Sequence, residues 1–335
     1  AARRSLDVDP RLPAAHYVAG TVALERGKLA DAEHDLRAAL ASPQLATSAR
    51  LQLARTKLAQ GQAADAVALA TMFSGAGAPY DARVTLAKAL VSDGQFERAR
   101  VELAQLEASY PTSLEPAILL GALDLEDGDI PSAQAESQRA LALKPTSVDA
   151  LLLAAETALA ANDLAAAEQT LIRARSIDPS SFEAATLHAQ MLMSRRDFAG
   201  ARAILEGLAR RQPNAAAPRT AIGIVLEADG KTKEARGWYE QAIALDPNDA
   251  LAANNLARIY TDDPSTADRA VRLAQSAATA LPNEAVVHDT LGWAYYKAGN
   301  LKLASVELER AVALDGTNAA FQKHLDEVKT ALNAR

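Results

Sequence analysis

Apolar positions along this chain recur at helical spacing in paired short blocks. Between Val148 and Ser181, Leu151, Ala154, Ala155 and Ala158 fall at i, i+3, i+4 and i+7, and Ala167, Leu171 and Ala174 at i, i+4 and i+7. Each block is one apolar face of an α-helix. Asn162-Asp163 separates them, a pair suited to ending one helix and capping the next. Pro179 closes the second helix, because proline lacks the N–H and clashes with the preceding turn. The pattern predicts helix, tight turn, helix, tight turn.

That unit repeats. Pro111, Pro145, Pro179, Pro213 and Pro247 stand 34 residues apart, Pro282 follows after 35, and Gly316 replaces proline 34 residues later; Pro10, Pro43 and Pro79 continue the series upstream. Small residues mark places where two helices must approach closely. In the first helix they are Gly20, Ala54, Ala87, Gly121, Ala155, Ala189, Gly223, Ala257 and Gly292; in the second, Ala32, Ala66, Ala99, Ala133, Ala167, Ala201, Ala235, Ala270 and Ala304. Inner turns carry Gly27, Gly61, Gly94, Gly128, Gly230 and Gly299, the residue that most readily takes the left-handed conformation at a helix C-terminus. A fixed period of this size predicts stacked units that share one continuous core.

On these residues the chain resembles the tetratricopeptide repeat (TPR) family from residue 13 to 318. The resemblance implies an all-α solenoid, a right-handed superhelix whose first helices line a concave face. Nine repeats are expected, starting near residues 13, 47, 80, 114, 148, 182, 216, 250 and 285. Residues 1–12 read as the tail of a preceding repeat helix, like Arg173 to Pro179, so further repeats are expected upstream. Residues 319–335 read as a capping helix with Phe321, Leu325, Val328 and Leu332 in one stripe and Asp326 where repeats hold Gly or Ala, hence a polar outer face. The repeat at Thr47 is least regular: Gly75 to Pro79 makes a longer exit loop, with a local change of pitch expected.

Composition narrows the chemistry. The formal net charge is −7, which argues against a nucleic-acid partner. There is no cysteine, so disulfides, thiolate metal sites and cysteine catalysis are excluded. No apolar run approaches the roughly 18–20 residues of a membrane span. His16, His34, His188, His288 and His324 are scattered and form no His-x-x-x-His pair. No phosphate loop, nucleophile elbow or paired-carboxylate motif is present. No enzymatic role, cofactor or metal is expected.

The family resemblance implies that positions 2, 5, 9, 12 and 13 of each repeat face the groove. In the N-terminal half these include Tyr17, Leu24, Leu51, Leu58, Val84, Val91, Ile118, Leu125, Leu152 and Leu159, with Arg55 and Lys88 adding positive charge and Glu156 negative charge. They suggest a groove for an apolar segment, or else packing between adjacent first helices. In the C-terminal half Asn254, Arg258, Asp289, Trp293, Tyr296 and Lys297 have the composition of a binding hot spot, unless Trp293 packs on the capping helix. Trp238, beside Tyr239, reads as structural or convex. A carboxylate clamp is disfavoured by Thr220, Ile224, Val286 and Thr290 at its key positions.

A narrower resemblance covers Asn254 to Leu325: Asn-Asn-Leu-Ala, the turn Thr261-Asp262-Asp263-Pro264, then Asp289-Thr290-Leu291-Gly292-Trp293 and His324-Leu325. It is similar to TPR proteins of bacterial envelope and exopolysaccharide systems, including exosortase-associated ones, and implies a periplasmic scaffold for a secretion or polymer-export assembly. The expected function is a non-catalytic protein-interaction scaffold binding a protein or peptide partner in the groove. The alternatives are carbohydrate binding through Trp293 and Tyr296, or self-assembly.

Overall fold

A computed structural model of the chain describes Asp9, residues 11–75 and residues 77–334. The expected helix tail before residue 13 and the Ala76 position of the exit loop lie largely outside the described residues. The chain forms two compact units, Ala1–Thr170 and Leu171–Arg335.

The described residues hold helices and no strands, as the all-α TPR fold requires. In the first unit the pairs are α1 (Pro13–Glu25) with α2 (Leu29–Ala39), α3 (Pro43–Ala59) with α4 (Ala63–Ala70), α5 (Tyr80–Ser92) with α6 (Phe96–Ser109), and α7 (Leu114–Glu126) with α8 (Ile130–Leu143), followed by α9 (Val148–Ala160). Then comes α10 (Leu164–Ile177). In the second unit they are α11 (Phe182–Ser194) with α12 (Phe198–Arg211), α13 (Ala217–Ala228) with α14 (Thr232–Leu245), α15 (Ala250–Tyr260) with α16 (Ala267–Ala280), and α17 (Ala285–Lys297) with α18 (Leu301–Leu314), closed by α19 (Ala319–Asn333). From α1 to α9, and again from α11 to α19, each helix packs on the next in sequence and each odd-numbered helix also packs on the next odd-numbered one. Each unit therefore has a face built of first helices alone.

The turns explain why the chain reverses where it does. Six inner-turn glycines, Gly27, Gly61, Gly94, Gly128, Gly230 and Gly299, have φ between 69° and 81°. The amide after each reaches back to a carbonyl five residues earlier, as Lys28 N–H does to Ala23 at 2.9 Å and Asn300 N–H to Tyr295 at 2.8 Å. Orphan carbonyls at the helix end are thereby satisfied. Two repeats use other residues: Asn162 (φ 58°) and Arg196 (φ 62°). Next to each stands an aspartate N-cap: Asp163 accepts from Ala166 N–H at 3.0 Å and Asp197 from Gly200 N–H at 2.8 Å. The repeat at Ala250 turns without positive φ: a 3-10 segment, Pro264–Thr266, follows, and Thr266 Oγ1 donates to the Tyr260 carbonyl at 2.7 Å.

Helix contacts account for the small residues. All nine second-helix alanines of the series are fully buried, and the first-helix series is buried throughout. Side chains fill the space that the missing bulk leaves. A methyl group added at Gly223 would stand 2.7 Å from two ring carbons of Tyr239, and one at Gly292 2.6 Å from Leu308 Cγ. Tyr239 is itself fully buried, a core residue, while its neighbour Trp238 is half-buried.

Two local departures from expectation concern the least regular repeat. Its first helix begins at Pro43, not Thr47, because proline is well placed at the first helical position and Ser42 before it is extended. Its second helix is only 8 residues long and passes into a 3-10 turn, Thr71–Phe73, that buries Phe73 in the core. On α19, Phe321, Leu325 and Val328 are buried, whereas Asp326 is exposed and accepts from Gln322 Nε2 at 2.9 Å.

Candidate functional site

Three clefts lie on first-helix faces, and their chemistry differs. The first, about 360 Å³ in the first unit, is lined by Arg55, Leu58, Tyr80, Asp81, Val84, Thr85, Lys88 and Glu115. Its cations are already paired. Arg55 Nη2 lies 3.7 Å from Asp81, Arg55 Nε donates to Thr85 Oγ1 at 3.2 Å, and Lys88 is ion-paired with Glu115. Arg55 and Lys88 therefore bring no unmatched positive charge, contrary to the expectation from sequence. The expected apolar lining is also largely spent: Leu51, Leu58 and Val91 pack against one core cluster, and Tyr17 and Leu24 against another.

The second cleft is near the C-terminal end and joins Arg258, Thr261 and Asp262 of the α15 end to Asp289, Thr290 and Trp293 of α17 and His324 of α19, around 210 Å³. Three of the six residues singled out there thus line one space. Trp293 stacks on His324 with centroids 4.2 Å apart, meets Tyr296 at 4.9 Å, and has Lys297 Nζ 5.1 Å from its ring centre. His324 Nδ1 lies 2.8 Å from Asp289 Oδ1. Arg258 is bound to Glu227, which also accepts from Tyr239 Oη at 2.8 Å. Burial, then the hydrogen bond to Glu227 and that carboxylate's charge, push the Tyr239 hydroxyl far above the ordinary tyrosine range, so it stays a donor. Asn254 differs from expectation: it is only 6% exposed, inside the helix contact rather than on the groove surface. His288, on the same helix as Trp293, is also buried, held between Glu307 (2.7 Å) and the Pro282 carbonyl (3.0 Å).

The third cleft, about 350 Å³ in the second unit, was not singled out from the sequence. Phe182, Thr186, Gln190 and Met193 on α11 are spaced by one helical turn, and so are Ala217, Thr220 or Ala221, and Ile224 on α13; Leu251 opens α15. Ala189, Ala221 and Val225 are small enough to leave depth between these walls. Ile224 is 39% exposed and Leu251 58%. Two of the polar lining residues are engaged internally: Thr220 Oγ1 donates to Asp249 Oδ2 at 2.6 Å, and Asp249 Oδ1 caps α15 through Ala252 N–H at 3.0 Å, while the Gln190 amide is exposed. What this cleft offers a ligand is apolar surface. The signal was partly present in the register: Thr186, Gln190, Met193, Thr220, Ile224 and Leu251 fall at groove positions of their repeats, whereas Phe182 and Ala221 do not.

Among the described residues no group of three or more His, Asp or Glu side chains could hold a metal ion, and no helix is long and apolar enough to cross a membrane.

Stacked helix pairs of constant period, with grooves on a face of first helices, define a tandem-repeat protein. TPR family models match residues 17–81 and 186–250, residues 124–191, and residues 238–272, together more than half of the sequence. The chain belongs to the tetratricopeptide repeat family. A search of curated protein sequences gave no match. Among solved structures, a tetratricopeptide repeat protein from Parabacteroides merdae is similar at 14% identity and TM-score 0.52, over 75% of this chain and 98% of that one. PilF from Pseudomonas aeruginosa is similar at 17% identity and TM-score 0.53, over 64% of this chain and 97% of that one. At such identities the likeness concerns the fold.

Proposed function

We propose that the chain is a non-catalytic scaffold for protein–protein interaction, and that the groove of α11, α13 and α15 takes an apolar peptide or helix of a partner. The observation that carries this reading is the exposure of Ile224 and Leu251 on adjacent first helices beside Phe182 and Met193. Fully burying a side chain of this size stabilises by about 1.5–3 kcal/mol, so completing the burial of two half-exposed ones is worth about 2 kcal/mol. Thr220 and Asp249 on the rim are already hydrogen-bonded and do not compete. The hot-spot patch at Arg258, Trp293, Tyr296 and Lys297, and the N-terminal residues Arg55 and Lys88, rank behind it because their charged and aromatic groups are already engaged.

The same contacts weigh against carbohydrate binding. A sugar ring stacks on a free aromatic face, and Trp293 has His324 stacked on it with Tyr296 and Lys297 beside it. Placement in a bacterial envelope assembly rests on the sequence order from Asn254 to Leu325, and cell fractionation tests it: recovery in the cytoplasm removes that placement.

Selection of phage-displayed random dodecapeptides tests the groove. Wild type should enrich sequences with apolar side chains at regular spacing, and the Ile224→Asp/Leu251→Asp variant should not. Equal enrichment by a folded variant contradicts the assignment.

A further inference from the structure

On the opposite side of this groove's repeats, between the second helices α14 and α16, lies a smaller cleft of about 230 Å³ lined by Glu240, Ile243, Leu256, Arg269, Arg272 and Leu273. Its carboxylate is already engaged through one oxygen. Glu240 Oε1 accepts from Tyr260 Oη at 2.6 Å and from Arg236 Nε at 2.9 Å. Burial raises the Glu240 carboxyl, but these hydrogen bonds and the charges of Arg236 and Arg269 outweigh it and hold the group ionised below the usual range.

The cations are not saturated. Arg269 lies over the Tyr260 ring, 4.7 Å from its centre, with Arg236 also 5.0 Å from that centre. Neither Arg269 nor Arg272 is in direct ion-pair contact with a carboxylate among the described residues: Glu240, which feels the Arg269 charge, contacts Arg236 instead. Arg269 and Arg272 are one helical turn apart and exposed, so their guanidinium groups flank one opening. Ring contact restrains Arg269 and reduces what binding would lose in side-chain freedom. Beneath the two groups, Ile243, Leu256 and Leu273 form an apolar floor with room for a single aliphatic side chain.

We propose that this cleft is a second, independent docking site for a peptide segment carrying a carboxylate side chain next to an aliphatic one. The aliphatic group fills the floor and the carboxylate meets Arg269 and Arg272. A planar guanidinium matches a carboxylate with paired N–H donors. A purely acidic chain would leave the floor wet, and a purely apolar one would leave both cations unmatched. Its two arginines and most of its floor stand on the second helices α14 and α16, with only Leu256 from α15, and no residue lines both this cleft and the groove.

Fluorescence anisotropy tests it with three labelled twelve-residue probes: repeating Asp-Leu, repeating Ser-Leu and repeating Asp-Ser. The Asp-Leu peptide should bind wild type tightest, weaken with added salt, and lose about tenfold or more in affinity with Arg269→Gln/Arg272→Gln, the loss of charge-assisted hydrogen bonds. Arg272→Gln alone, at an exposed residue with no internal hydrogen bond, ion pair or ring contact to lose among the described residues, should lose part of this. Ile224→Asp/Leu251→Asp should leave it unchanged, which separates this site from the groove. The proposal is overturned if the arginine variants bind the Asp-Leu peptide as wild type does, if Ser-Leu or Asp-Ser binds as tightly as Asp-Leu once the groove is blocked by Ile224→Asp/Leu251→Asp, or if a single-stranded oligonucleotide binds this cleft more tightly than any of the peptides.

Discussion

The Gly223–Tyr239 contact gives the most exacting test of the packing. In a helix interior, glycine to alanine ordinarily stabilises by about 1 kcal/mol. At Gly223 the added methyl would stand 2.7 Å from two carbons of a fully buried ring. Overpacking of that kind costs about 1–3 kcal/mol. The net effect of Gly223→Ala is therefore a loss of up to about 2 kcal/mol. Gly237 is the internal control: it lies in α14, on the same repeat, and a Cβ there meets nothing within 4 Å. Gly237→Ala should stabilise by about 1 kcal/mol. In a Tyr239→Leu background the rigid ring is replaced by a side chain that can give way, as it does where Ala189 and Leu205 hold the same two positions of the preceding repeat, so Gly223→Ala should cost less than in the wild-type background. Repeat arrays unfold in segments, so a local probe is needed. Urea unfolding followed by Trp238 fluorescence in a Trp293→Phe background reports on this repeat. A stabilising Gly223→Ala in the wild-type background would refute the contact.

Other outcomes follow from the same packing. Arg83 and Glu102 form a buried ion pair, so Arg83→Ala should cost about 3–5 kcal/mol in local unfolding of α5 and α6, while Arg83→Met/Glu102→Leu should recover most of it, read by amide exchange. Arg258→Ala removes an exposed partner of Glu227 and should cost less than about 1 kcal/mol in a thermal melt. Asp326→Ala should leave the melting curve almost unchanged, since Asp326 is exposed and bonds only within its own helix.

Periodic features were legible in the sequence. The glycine turns, the alanine contacts and the helix pairs follow from a register that repeats nine times, and the positive φ of Gly27 or Gly299 is what that residue type at that place requires. Features without a period were not. Arg196 occupies a left-handed position that its residue type gives no hint of, and the start of α3 at Pro43 required weighing a proline as an opener where elsewhere it closes helices. The groove was half legible. Thr186, Gln190 and Met193 stand in groove register but carry no charge or tryptophan to set them apart, and Thr220 and Ile224 entered only as mismatches to a carboxylate clamp. Pairing was beyond sequence: that Arg55 finds Asp81 and Lys88 finds Glu115 depends on how adjacent first helices cross.

The measurement that bears most directly on the proposed role is an anisotropy titration of one apolar peptide selected on wild type, repeated on three variants. Ile224→Asp/Leu251→Asp should weaken binding by about 30-fold, the equivalent of about 2 kcal/mol of lost apolar burial. Arg55→Gln/Lys88→Gln and Arg258→Ala/Trp293→Ala, each with an unchanged melting temperature, should bind as wild type does. Full affinity in the Ile224/Leu251 variant, or loss confined to the Arg258/Trp293 variant, would contradict the groove of α11, α13 and α15 as the binding surface.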